Sequence, residues 1–159
     1  MTINIGDRLP AGGFMTMTEE GPARLTTDEV FGGKTVVLFA VPGAFTPGCS
    51  MKHLPGYLKE ADALEAKGAD TIACLAVNDA FVMDAWAKDR GTEGRILMLS
   101  DGSAEYVKRL GLELDAGKYG MGTRSKRFSM IVEDGIVKAL NIDESGVDKS
   151  SAENTLAQL

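Results

Sequence analysis

Between Thr35 and Val41 the run TVVLFAV carries no charge and ends at Pro42 and Gly43, the pattern of a short strand buried on both faces. Two further apolar runs, Thr71 to Val77 and Ile96 to Leu99, predict two more strands. Between the first two, Leu54, Tyr57, Leu58, Ala61 and Leu64 recur at helical spacing with Lys59, Glu60 and Asp62 interleaved, which predicts an amphipathic helix. Pro55 lies inside it and removes one backbone donor, so the helix should kink or restart there, and Gly68 supplies its stop. Asn78 or Asp79 can cap a following helix whose apolar residues are Phe81, Val82, Ala85 and Trp86, with Trp86 in the core. Phe128 to Val132 and Ile136 to Leu140 flank Glu133, Asp134 and Gly135, and the Asp-Gly pair signals a tight hairpin. A last helix is expected from about Ser151. Strands alternating with helices, then a hairpin, predict an α/β fold over residues 1–159: one domain with a central mixed sheet flanked by helices and a C-terminal hairpin and helix.

Composition narrows the function more than the fold. Seventeen Lys and Arg against 23 Asp and Glu give a net charge of −6, a sign that opposes attraction to nucleic acid or anionic membranes. The amino terminus, MTINIGDRLP, has neither a basic segment nor an apolar stretch, and no window approaches a membrane span. A cytoplasmic location is therefore expected. Two cysteines, Cys49 and Cys74, are too few for a secreted disulfide framework, and with the one histidine they cannot complete a zinc site. No metal or other cofactor is expected.

The chemistry concentrates just past the first strand. Pro42, Gly43, Ala44, Phe45, Thr46, Pro47 and Gly48 form an irregular loop that delivers Cys49 into the first turn of a helix, where free N–H groups and the helix dipole favour an anion. Such surroundings lower a thiol's pKa, and the thiolate is the nucleophilic form. An isolated cysteine is as well read as an inert buried hydrophobe; it is the loop that argues for reactivity. His53, one helical turn after Cys49, raises the alternative of a Cys–His hydrolase or transferase, but no orienting acid stands at a telling spacing, and a packed or hydrogen-bonded imidazole is the more ordinary role. Gly117, Gly120 and Gly122 with Lys118, Arg124 and Lys126 match no phosphate-binding pattern and precede a strand, so they read as a mobile loop. Arg127 could belong to that solvated basic cluster.

Pro42, Thr46 and Cys49 stand in the pattern P-x-x-x-T-x-x-C, which resembles the active-site signature of peroxiredoxins. Together with VPGAFTPGCSMKHLPGY, VNDAFVMDAWAK and KRFSMIVEDGIVKALN, the chain resembles the type II, atypical two-cysteine, peroxiredoxins from Ile3 to Leu159. The resemblance implies a thioredoxin-like fold and a thiol peroxidase of antioxidant defence acting on hydrogen peroxide and organic hydroperoxides. It also implies recycling by glutathione and glutaredoxin or by thioredoxin, and a homodimer packed through loops near the active sites. It makes Cys49 the peroxidatic cysteine, Thr46 its hydroxyl partner, Pro42 a shield over the thiolate and Arg127 the distant arginine beside the sulfur. A disulfide reductase is disfavoured because Thr46 stands where a C-x-x-C motif would need its other cysteine; a thioredoxin-fold binding protein without activity is the remaining alternative. Cys74, 25 residues beyond Cys49, is left with two roles: a conditional resolving cysteine, reached only if the chain around Pro47 to Pro55 unfolds locally, or an inert thiol in the strand TIACLAV with an external thiol as reductant.

Overall fold

The computed structural model describes residues 1–92 and 94–159. The chain opens with a hairpin of β1 (Gly13–Thr18) and β2 (Gly21–Thr26), followed by α1 (Thr27–Phe31) and β3 (Thr35–Val41). A wide helical turn at Cys49–His53 leads into α2 (Leu54–Lys59), α3 (Ala61–Ala66) and β4 (Thr71–Ala76). Then come α4 (Ala80–Arg90), β5 (Leu97–Ser100), α5 (Glu105–Leu110), β6 (Glu113–Asp115) and β7 (Thr123–Ser125). The chain closes with β8 (Arg127–Glu133), β9 (Ile136–Asp143) and α6 (Ala152–Gln158). Seven strands make one mixed sheet in the order β2-β1-β5-β4-β3-β8-β9. The central β3, β4 and β5 are parallel and the remaining pairings antiparallel, while β6 and β7 form a separate ribbon.

The pleat of β3 divides the core in two. Val36, Leu38 and Ala40 face α1 and α5, packing with Phe31, Tyr106 and Leu110. Val37, Phe39 and Val41 face the other way, into a layer with Leu54 and Tyr57 of α2, Trp86 of α4, and both cysteines. This alternation, with both faces covered, explains why β3 reads as a continuous apolar run. The predicted strands and the last helix stand where expected. Asp134 (φ 47°) and Gly135 (φ 79°) both take the left-handed conformation at the β8–β9 turn, as a two-residue hairpin linked by its twist requires.

Several elements depart from the expectation. The inward face of α4 is Ala80, Met83 and Trp86, with Phe81 65% exposed. Asp79, rather than Asn78, caps this helix, its carboxylate accepting from Val82 N at 2.8 Å. The stretch from Gly117 to Lys126, read as a mobile loop, holds a short helical turn at Gly117–Tyr119 and β7, which pairs with β6 just before it. The β1–β2 hairpin, α1 and α5 had no counterpart in the sequence reading: β2 is half-exposed along its length, and α5 shows an apolar face over only six residues, too short to display a period.

Candidate active site

Cys49 Sγ is reached from two sides by donors. The helical segment that carries it starts at Pro47, and Ser50 N closes the first turn on Thr46 O at 2.9 Å. This leaves the Thr46 side chain one turn before the sulfur, with Oγ1 2.8 Å from Sγ and 2.7 Å from Gly43 O. Arg127, the first residue of β8, extends Nη2 to 3.1 Å from the same sulfur. Gly48 permits that reach, since a Cβ there would lie 3.2 Å from Nη2. Cys49 is 0% exposed, so these side chains stand where water would otherwise solvate the sulfur.

After Cys49 the helix widens: Leu54 N–H donates to Cys49 O, five residues back. Pro55 explains the change of geometry, because it brings no N–H and its ring would crowd the carbonyl one turn earlier. The restart expected near Pro55 is thus observed as a π turn running into α2, followed by a second break at Glu60. Ser50, next to the sulfur, accepts Trp86 Nε1 at 2.8 Å on its hydroxyl and Arg90 Nη1 at 3.3 Å on its carbonyl, which ties the turn to α4.

His53 is buried against Phe39 and Tyr57. Its Nδ1 lies 2.8 Å from Arg127 Nη1 and its Nε2 3.0 Å from Ser150 O. A guanidinium can only donate and a carbonyl can only accept, so the ring is neutral with its proton on Nε2. Burial, then the Arg127 charge, push its pKa down to about 3. His53 makes no hydrogen bond to Cys49; it faces the arginine, as a packed, hydrogen-bonded imidazole. The sequence held no signal for its partner Ser150, which lies 97 residues away.

Pro42 ends β3 half-buried and lines a small cleft, about 160 Å³, with Lys126, Arg127 and Glu144. A larger crevice of about 610 Å³ lies between β1, β5 and α4 and is lined by none of Thr46, Cys49 and Arg127. Arg124 stays away from the sulfur: its guanidinium donates to Met121 O and Val77 O. Cys74 sits at the centre of the sheet opposite Phe39 and Met98, in the same layer as Cys49, wholly buried and unpaired. Burial pushes its thiol well up.

A family model described as Redoxin matches residues 4–156. The chain belongs to the redoxin family. Within it, the chain is a type II peroxiredoxin, 45% identical to the chloroplastic Peroxiredoxin-2E of Arabidopsis thaliana over 99% of this chain and 70% of that protein. Among solved structures, reduced Prx3 of Vibrio vulnificus in complex with hydrogen peroxide superposes with a TM-score of 0.94 at 48% identity, covering 98% of both chains. The 1-Cys peroxiredoxin of Plasmodium falciparum gives 0.90 at 29% identity, covering 96% of both. The fold of this peroxiredoxin is accordingly thioredoxin-like, as the resemblance implied.

The neutral His53 gives a measurable pH dependence. Between about pH 6.5 and 3 the unfolded chain protonates this ring and the folded chain does not, so stability falls on acidification across that window. From pH 7 to 5 the loss from this group is on the order of 2 kcal/mol. Urea unfolding of His53→Asn should show a smaller drop between those two pH values than the wild type; equal drops would mean the ring is already charged in the fold.

Proposed function

We propose that this peroxiredoxin reduces hydroperoxides with Cys49 as attacking thiolate and with Thr46 and Arg127 as the donors that hold the peroxide. The observation that carries this reading is the buried sulfur flanked by Thr46 Oγ1 at 2.8 Å and Arg127 Nη2 at 3.1 Å. Thiol-dependent peroxidase activity is what membership of the family supplies; the geometry around the sulfur supports the residue roles. The thiolate attacks the outer peroxide oxygen, an S–O bond forms as the O–O bond breaks, and the departing alkoxide or hydroxide takes a proton to leave as alcohol or water. Cysteine is oxidised to sulfenic acid while the peroxide is reduced. The fixed guanidinium charge favours thiolate over thiol, and its fork of donors suits developing charge on oxygen. Thr46 has one hydroxyl proton for two acceptors, Gly43 O and the sulfur, so it can turn to a peroxide oxygen without leaving its place. Pro42, at the rim of the cleft beside Arg127, restricts access to small substrates.

An external thiol returns the sulfenic acid to thiol in this reading. Resolution by Cys74 needs a thiolate from a group that burial keeps protonated, and it needs the Cys49–His53 turn to unwind from Trp86 and Arg90. Glutathione with glutaredoxin, or thioredoxin, supplies the external thiol; the Plasmodium neighbour is itself a 1-Cys peroxiredoxin. The shared buried layer of Cys49 and Cys74 favours the internal disulfide as the second reading.

We also propose a homodimer through three loops tied to one another. Ala44 N donates to Asn78 Oδ1, and Arg124 bridges Val77 O and Met121 O. On these loops Phe45 and Tyr119 are 50% and 70% exposed, and Phe81, in the first turn of α4 beside them, is 65% exposed, an apolar surface that a second copy would cover. A cytoplasmic location fits two unpaired thiols, although the Arabidopsis relative is chloroplastic.

Three measurements test these readings. Cys49→Ser should abolish peroxide turnover with an unchanged thermal melt, and Arg127→Met should form the thiolate at higher pH and react at least about tenfold more slowly; turnover surviving in Cys49→Ser removes that residue from its role. After one equivalent of peroxide, peptide mass spectrometry should find sulfenic acid on Cys49 and a free Cys74, whereas a Cys49–Cys74 cross-link establishes internal resolution. Light scattering should give twice the chain mass for the wild type and the single chain mass for Phe81→Glu.

A further inference from the structure

Arg127 is held by a chain of contacts that ends far from the sulfur. Asp143 closes β9, and its carboxylate accepts four hydrogen bonds from the segment that follows. Oδ2 takes Asp148 N at 3.1 Å, Ser150 N at 2.9 Å and Ser150 Oγ at 2.6 Å, and Oδ1 takes Lys149 N at 3.0 Å. The turn so formed brings the Ser150 carbonyl back beneath the Cys49–His53 segment, where it accepts His53 Nε2 at 3.0 Å and the Tyr57 hydroxyl at 2.8 Å. Those two donors can occupy both lone pairs of the carbonyl.

We propose that Asp143 and Ser150 are positioning residues for the Cys49 thiolate, acting through His53 on the orientation of Arg127. Asp143 fixes the turn; the turn fixes the Ser150 carbonyl; the carbonyl requires a proton on His53 Nε2; and that tautomer leaves Nδ1 as an acceptor for Arg127 Nη1. With Nη1 anchored there, the rigid guanidinium fork presents Nη2 to Cys49. Releasing the turn lets the imidazole rotate or exchange its tautomer, and Arg127 then loses the contact that aims it. A buried histidine oriented by a second partner is a recurrent device at metal sites, where the outer partner matters to the reacting centre; here the oriented group is an arginine.

Positioning by Asp143 and a direct effect of its charge act on Cys49 with opposite signs. Removing the Asp143 carboxylate takes away a negative charge, and by Coulomb interaction alone this would ease ionisation of Cys49. Loss of positioning instead makes the thiolate harder to form. Asp143 is buried, and although burial opposes its ionisation, the hydrogen bonds from Ser150, Asp148 and Lys149 hold its carboxyl down to about 2, so the anchor is charged throughout the range in which the thiol is titrated.

The inference rests on Cys49 and Arg127 as assigned above, and one of its two readouts, the thiolate titration, does not require turnover. Thiolate absorbance against pH is recorded for the full chain, for Asp143→Asn, and for both forms in an Arg127→Met background. Asp143→Asn should raise the Cys49 midpoint by about half a unit or more and lower its rate with hydrogen peroxide at pH 7 by about threefold or more. In the Arg127→Met background the same substitution should move neither. A lowered or unchanged midpoint, or an equal rise in both backgrounds, overturns the proposal. Should Asp143→Asn not fold, Ser150→Ala, which removes only the 2.6 Å bond and keeps the carbonyl, is put through the same comparison, with a smaller rise of the same sign expected. A wild type that titrates as described and consumes no peroxide defeats the functional reading and leaves the positioning result intact.

Discussion

A sulfur with no access to water can carry negative charge only where protein donors take the place of solvent. The Arg127 guanidinium does this at Cys49, and most of the surrounding structure serves to bring it there. β8 pairs antiparallel with β3 so that Phe128 stands opposite Ala40. Arg127 therefore falls beside the end of β3, where the chain leaves the sheet and enters the cysteine loop. A shift of one residue in that register would turn Arg127 to the other face of the sheet, away from the layer that holds Cys49.

The helical side of the site is shaped by residues that break regular structure. Pro47 starts the turn, Gly48 leaves room for the guanidinium, and Pro55 is accommodated by the widened Cys49–His53 turn. Phe45, at φ 66°, holds a conformation uncommon for a residue with a side chain. The reactive group thus stands on a short, irregular piece of chain, and its rigidity comes from tertiary hydrogen bonds: Trp86 and Arg90 on one side, Arg127 and Ser150 on the other.

What the sequence disclosed follows from how local each signal was. The central strands, the Asp-Gly hairpin and the helix after Cys49 are encoded within windows of fewer than ten residues or so, where periodicity and turn chemistry act. Thr46 and Arg127 were both legible as partners of the sulfur only through the resemblance to a family pattern, although Thr46 shares a turn with Cys49 three positions on while 78 residues separate Arg127 from it. The β1–β2 hairpin and α5 are short, and tertiary packing more than local pattern sustains them. His53 was weighed as a base on its spacing and read as a packed or hydrogen-bonded imidazole, which it is, but its partners, Arg127 and Ser150, are ones that no spacing could announce. The face of α4 was misread because the large apolar Phe81 was counted toward the core, whereas packing buries Ala80, Met83 and Trp86 and leaves Phe81 exposed.

The bond from Trp86 to Ser50 has a further consequence. This is the chain's one tryptophan, fully buried, and its indole N–H is spent on the residue adjoining Cys49. Any movement of that turn away from α4 breaks the bond and admits water to the ring, changing the energy of its excited state. The protein carries, without any label, an optical reporter placed one residue from its reactive sulfur, so the state of the turn can be followed from ultraviolet emission while the chemistry proceeds.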